Sequence, residues 1–426
     1  MPDNWISSAH AQAQSMLAPH LDAFAHKTFS EIIDEEGNQY VDIVFEGGGM
    51  LGIALVGYTW VLEQAGIRFR GIGGASAGAI NAALLASLGK PHEKKSDQLL
   101  TIMNEKNFFD FVDGSRPMKR LIDYVLNGRK RIWKSAYHFI RLILSLASIL
   151  RKEGINPGNN FEHWLRTVMM VRGNVHSLLD LEKQLQPSHP VFLRGDSRPE
   201  NPDILRGTSK YWQNVQNPTF RLGIIAADIT TETKVEFPKM APLYWQNTDA
   251  VHPAEMVRAS MSIPVFFQPK KVTDLPTDKK QEWEDWAGID IEVDFDNTYP
   301  TEIRFADGGI MSNFPFDLFH RVSGTPNAPT FGVKLEEEKR NNTIDGMLSY
   351  LGAAFNAARH VYDYSYQANV PEMRQLVAKI PIAKGIHWLD FKMEDKKKEK
   401  LFLAGVQRAI AFLRAFNWPE YRSSRS

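Results

Sequence analysis

Between Val41 and Leu88 the chain twice repeats a short apolar run, a glycine cluster and a helix-period stretch, and no other part of its 426 residues restricts the fold as tightly. Val41-Asp42-Ile43-Val44-Phe45 is rich in β-branched residues and reads as a buried strand. It breaks at Glu46-Gly47-Gly48-Gly49-Met50-Leu51-Gly52. A helical stretch then runs from Ile53 to Ala65 and closes on Gly66, where glycine is favoured after a helix. Phe69 to Ile72 reads as a second strand, Gly73-Gly74-Ala75-Ser76-Ala77-Gly78 as a second break, and Ala79 to Leu88 as a second helix. Such a βαβα order predicts an α/β fold with a parallel sheet covered by helices.

Further strands are expected at Phe220 to Ala226, near Val235 to Phe237, at Ile303 to Ala306 and at Thr330 to Leu335, with a helix from Pro253 to Met261. The sequence divides into a helical arm (1–39) ending in the polar run Asp34 to Asn38, a main domain (40–395) and a C-terminal helix (396–426). The main domain carries a largely helical, basic insertion at about 91–217 and an acidic one at about 272–300. Lysine and arginine balance aspartate and glutamate at 50 each, which argues against a nucleic-acid binder, since phosphate recognition needs a net basic face. That neutrality hides two fields. Residues 119–152 hold nine basic residues against Asp123 alone, and residues 274–296 hold nine acids against Lys279 and Lys280. With no cysteine, disulfides, cysteine zinc sites and a thiol nucleophile are excluded. The first 29 residues lack the apolar core of a signal peptide, and no stretch is apolar enough to span a bilayer, so a cytoplasmic protein with at most peripheral membrane contact is expected.

The two glycine loops carry the chemistry. Gly74-Ala75-Ser76-Ala77-Gly78 fits G-x-S-x-G, which places a serine on a sharp strand-to-helix turn with its hydroxyl above the sheet. Taken alone, that match is as often a structural turn. The first loop also satisfies G-x-G-x-x-G, but a dinucleotide site expects an acid at the end of the second strand, and here Gly73, Gly74 and a serine stand there. A Walker loop fails for want of Lys-Ser or Lys-Thr. Adjacent glycines can instead turn the amides of Gly47, Gly48, Gly49 and Met50 toward one point, the geometry of an oxyanion hole. A base is still required. No histidine sits in a glycine-framed turn after a strand, whereas Asp307, before Gly308 and Gly309, ends the strand Ile303 to Ala306. Alone, it would be read as a turn aspartate.

Together these residues resemble the patatin-like phospholipase family. The oxyanion motif is matched by Glu46 to Gly52, the nucleophile motif by Gly74 to Gly78 and the aspartate motif by Asp307-Gly308-Gly309. Ala226-Ala227-Asp228-Ile229-Thr230-Thr231 and Val257 to Pro269 look like further family blocks. The resemblance runs from about Val41 to Leu335 and more loosely from Gly385 to Phe412, where a short strand and a last helix are expected. It implies a three-layer α/β/α fold with a mainly parallel central sheet, no cofactor or metal, and a phospholipid or other acyl-lipid substrate. It also implies a Ser76–Asp307 dyad, with Asp307 partly desolvated and its pKa raised from about 3.9. Gly52, Gly74, Gly78, Gly308 and Gly309 support the loops. Leu51 stands where the family usually has arginine or lysine.

Two competing readings remain open: an α/β hydrolase with a Ser-His-Asp triad using His360 or His387, and an inactive lipid-binding scaffold. Residues 131–152 have the make-up of an interfacial helix, with basic ends, an apolar second half, Trp133 and Tyr137. Peripheral membrane contact through 129–152 and a lid helix packed on the domain are equal expectations. The alternation from Ile289 to Asp296 predicts a strand with four acids on one solvated side, more readily than a calcium site.

Overall fold

Strand β2 (Gln39–Phe45) is buried along its whole length and lies inside a sheet ordered β12-β11-β2-β3-β6-β10-β9. The computed structural model describes residues 5–111, 113, 154–194, 220–336, 350, 353, 357, 370, 372–386, 390, 393–425. In that sheet β3 is Ile67–Ala75, β6 Arg221–Asp228, β9 Lys270–Thr273, β10 Glu302–Asp307, β11 Thr330–Glu336 and β12 Val377–Pro381. The five strands from β12 to β6 pair in parallel; β10 joins β6 antiparallel, and β9 joins β10 antiparallel. The protein is therefore a mixed α/β fold with a largely parallel central sheet. The main strand positions legible in the sequence recur with their ends shifted by one to three residues, and β3 runs on through Gly73 and Gly74 to Ala75.

Helices α3 (Gly52–Gln64) and α4 (Ala77–Ser87) are the crossovers that follow β2 and β3. Both are apolar around almost their whole circumference, which is how a helix buried on all sides reads. The long C-terminal helix Asp395–Ala415 crosses α3 at backbone contact, because Gly57 faces the Phe402 carbonyl and Gly405 faces that of Ala54. Helix α1 (Trp5–Leu17) lies on that pair and buries Trp5, Ala9, Ala13 and Leu17, spaced four apart along one face. On the opposite face of the sheet no Cβ projects at Gly71, Gly73, Gly223 or Gly332. Phe314, Phe316, Leu318 and Phe319 lie over those positions instead.

Three expectations are revised. Ile289–Asp296 is not a strand: Ile291–Asp294 forms a helical turn. The Asp290 carboxylate accepts the Glu292 N–H at 2.9 Å, the Asp294 carboxylate accepts the Asp290 N–H at 2.8 Å, and Asp296 and Asn297 take positive φ. Side-chain bonds to the local backbone here win over period-two patterning. The last short strand falls at Val377–Pro381, before Gly385, because parallel pairing with β11 fixes its place. The polar run Asp34–Asn38 does not end a purely helical arm. It is the turn between β1 (Ile32–Asp34) and β2, with the Asp34 carboxylate accepting the amides of Glu36 and Asn38. The basic window 119–152, His360 and His387 lie outside the described residues. Among the described residues no helix is long and apolar enough to cross a membrane.

Candidate active site

The register of the sheet decides which strand ends meet. Phe45 pairs with Gly74, Ala75 with Ile225, and Ala226, next to Ile225, pairs with Asp307. The glycine loop after β2, Ser76 after β3 and Asp307 at the end of β10 therefore share one sheet edge. Ser76 and Asp307 are two strand spacings apart, roughly 10 Å between backbones.

Ser76 occupies φ +52°, ψ −123°, in the turn that joins β3 directly to α4. A non-glycine residue in such a conformation stores about 1–3 kcal/mol and persists only where its surroundings impose it. Here they do. Gly74 lies against Gly78 so closely that a Cβ would come within 2.5 Å of the Gly78 carbonyl carbon, and one on Gly78 within 2.5 Å of the Phe45 oxygen. The G-x-S-x-G spacing is thus a packing requirement between β2, β3 and α4. Ser76 is only 4% exposed and stands at the N-terminus of α4, whose first-turn amides favour negative charge.

In the first loop, Gly49 takes φ +53° and starts a tight turn through Leu51 into α3. The amides of Gly48, Gly49 and Met50 have no acceptor among the described residues. Gly47 differs from the sequence expectation. Its N–H donates to the Asn313 carbonyl at 3.0 Å and its carbonyl accepts from Asn313 Nδ2 at 3.2 Å, so it anchors the loop and its amide is spent. Gly47 also lies against Ser76, where its own Cβ would be 3.1 Å from the serine Cβ. Gly52 begins α3 beside Asn81, and Leu51 is wholly buried. Glu46 fixes the loop from the other side by accepting the Leu335 N–H at 2.6 Å.

Asp307 is 1% exposed. Its Oδ1 accepts the Gly309 N–H at 2.8 Å, which orients the carboxylate, while Gly308 passes against the Ile225 carbonyl too closely for any side chain.

One short segment touches both residues. Ser260 Oγ accepts the Ser76 N–H at 2.9 Å, Met261 Sδ accepts from Ser76 Oγ at 3.5 Å, and the Ser262 carbonyl accepts the Asp307 N–H at 2.9 Å. Ser260 ends the helix Pro253–Ser260, and Arg258 in its last turn pins the chain beyond it. That guanidinium donates to Ser262 Oγ, the Pro157 carbonyl and the Gln268 carbonyl, each at 2.7 Å. Burial holds the Arg258 pKa down to about 10, still well above neutrality. Val257 to Pro269 stands out in the sequence as a block, but the parts played by Ser260, Arg258 and Asn313 carry no sequence signal, since each is a contact across 50 residues or more or depends on backbone carbonyls.

No described histidine touches Ser76. His252 caps the far end of the helix Pro253–Ser260, about 12 Å from Ser260 at 1.5 Å per residue. Among the described residues no group of three or more His, Cys, Asp or Glu is placed to hold a metal ion.

A family model for patatin-like phospholipase matches residues 43–320. The chain is 28% identical over 383 residues to the uncharacterized protein YqhO of Bacillus subtilis (strain 168), covering 89% of this chain and 100% of that protein. Its structure is similar to VipD from Legionella pneumophila, at 14% identity and a TM-score of 0.41, over 91% of this chain and 70% of that one. It is also similar to full-length ExoU from the type III secretion system of Pseudomonas aeruginosa, at 15% identity and a TM-score of 0.37, over 88% of this chain and 52% of that one. The family match takes in both glycine loops and the Asp307 turn, and the chain belongs to the patatin-like phospholipases, a family of lipid hydrolases.

Proposed function

We propose that the protein is an acyl-ester hydrolase of the phospholipase A or lysophospholipase type that uses a Ser76–Asp307 dyad. The observation that carries this reading is the Ser260–Met261–Ser262 segment, which bonds to the Ser76 amide, the Ser76 hydroxyl and the Asp307 amide in turn. With an ester bound, the Ser76 hydroxyl turns from the weak thioether acceptor to the Asp307 carboxylate. Oγ attacks the carbonyl carbon as its proton passes to Asp307. The oxyanion is held by the amides of Gly48, Gly49 and Met50. Collapse breaks the C–O bond, Asp307 returns the proton to the departing alcohol, and the acyl group stays on Ser76. Water then attacks that ester, giving its proton to Asp307, and Ser76 leaves with a proton while the fatty acid departs. Burial of Asp307 suits a carboxylate asked to accept a proton.

The reaction is placed at a membrane surface, a proposal supported by the sequence of residues 129–152. Vesicle sedimentation tests it: more protein on anionic than on neutral vesicles is expected, and no difference would remove electrostatic docking. Hydrolysis of a short-chain ester and a phospholipid by wild type, Ser76→Ala, Asp307→Asn, His360→Ala and His387→Ala tests the dyad. Asp307→Asn is expected to lose ~10²–10⁴-fold in kcat, as for removal of a general base, and Ser76→Ala, which removes the nucleophile itself, up to ~10⁶-fold. Full activity in Asp307→Asn would sink the dyad. Loss in a histidine variant alone would move the reading to a triad, and an inactive wild type would move it to a scaffold.

A further inference from the structure

The glycine loop meets the end of β11 through a charged pair. Glu46, the residue before Gly47, is bonded to that strand twice: its N–H donates to the Val333 carbonyl at 3.0 Å, and its carboxylate accepts the Leu335 N–H at 2.6 Å. Lys334, between those two, brings its ammonium to 3.4 Å from the other carboxylate oxygen. The same ammonium stands 4.8 Å from the centre of the Phe314 ring, a cation over an aromatic face. Phe314 follows Asn313, which holds Gly47 by its amide and its carbonyl. Lys334 therefore joins the two supports of the loop, one on each side of Gly47. Leu335 completes the contact, since its Cδ1 fills the place that a Gly48 side chain would take.

A carboxylate in this position is an electrostatic liability. The Glu46 side chain is 6% exposed and that of Lys334 15%, so water screens neither well. Gly47 to Gly52 carry no charge of their own. Glu46 comes two to four residues before the Gly48, Gly49 and Met50 amides, a span of roughly 7–10 Å. An unopposed carboxylate at that range acts against the negative charge that those amides are placed to receive. With an effective dielectric constant of about 20, a unit charge there changes a rate about 15- to 50-fold.

We infer that Lys334 is a positioning residue for the oxyanion hole: by pairing with Glu46 it steadies the loop and cancels the charge that would oppose the tetrahedral intermediate. The inference rests on the acyl-hydrolase reading above. Lys334 acts through Glu46 and not on the head group, so its effect belongs in kcat and is the same for a neutral ester and an anionic phospholipid. Kinetics on p-nitrophenyl butyrate and on phosphatidylglycerol, with active sites counted by fluorophosphonate labelling, test it. Lys334→Met should lower kcat about 15- to 50-fold on both, with KM within about twofold, and Lys334→Arg should keep most of the rate. The deciding comparison is made on Glu46→Gln, whose amide oxygen still accepts from Leu335 but carries no charge. In that background Lys334→Met should change kcat by less than about threefold. A lysine needed only for packing on Phe314 would lower the rate equally in both backgrounds. Lys334→Gln, which can donate to Glu46 without charge, takes the place of Lys334→Met where the latter does not fold. A kcat for Lys334→Met within about threefold of wild type, an equal loss in both backgrounds, or an effect confined to KM for the anionic lipid overturns the inference. A fully active Ser76→Ala would remove the acyl-hydrolase reading itself, whereas an inactive Ser76→Ala beside an unimpaired Lys334→Met would remove the role of Lys334 alone.

Discussion

Replacing Ser260 with alanine removes one oxygen from a wholly buried position and leaves the Ser76 amide without its acceptor at 2.9 Å. An orphaned buried N–H costs about 1–3 kcal/mol. That is the same size as the roughly 1–3 kcal/mol of backbone strain stored at φ +52°. The bond lost is therefore comparable to the strain it helps to restrain, and the Ser76 backbone should relax. The effect on Tm is small, because unfolding entropy of about 2.1 cal/mol/K per residue over this chain converts each kcal/mol into only about 1 °C. Turnover should respond more, since a nucleophile displaced by roughly 1 Å can lose about 10² in rate. Kinetics on a short-chain p-nitrophenyl ester, with thermal melts in parallel, should show kcat down about 10–100-fold, KM within about twofold and Tm down about 1–3 °C. Ser260→Thr keeps the hydroxyl and should recover most of the rate. A Ser260→Ala enzyme with kcat within about twofold of wild type would refute the idea that this bond positions the nucleophile.

Gly308→Ala should cost roughly 3 kcal/mol or more, because the new Cβ meets the rigid Ile225 carbonyl; the urea midpoint measures this, and an unchanged midpoint would mean that β6 and β10 can part cheaply. Asn313→Ala removes the side-chain bond to the Gly47 carbonyl and should lower kcat about tenfold with little change in Tm, by loosening the glycine loop. His252 is held down to about 4 by burial and then by Arg166, below its ordinary value of about 6.5. Its contribution to stability is therefore complete above about pH 6.5 and is lost as pH falls toward 4, at up to about 1.4 kcal/mol per pH unit. Denaturant unfolding at pH 5 and pH 7 should show a smaller pH effect in His252→Asn, which keeps a capping acceptor for Ala254; identical effects would remove His252 from the account.

The sheet and the three motifs were legible because each is written in consecutive residues: β-branched runs, glycine clusters and the helix periods after them. The Ile289–Asp296 turn was misread because period two is also what alternating acids leave when their carboxylates cap the local backbone. Gly47 was misassigned for a different reason. Three glycines in a row show that amides can converge, but not which one the backbone of Asn313 has already taken. The parts of Ser260 and Arg258 were invisible since Ser260 acts on an amide hydrogen and Arg258 mainly on carbonyl oxygens, groups that any residue carries.

The bare face over Gly71, Gly73, Gly223 and Gly332 has a consequence for how the molecule comes apart. Glycine within a strand costs roughly 0.5–1 kcal/mol relative to alanine, so these strands are weak alone and depend on the aromatic cover from Phe314 to Phe319. That cover begins seven residues after Asp307, directly next to Asn313. The sheet and the edge that carries Ser76 and Asp307 therefore share one unfolding unit. Loss of activity on heating should coincide with loss of the sheet, with no populated state that keeps the strands while releasing Asp307.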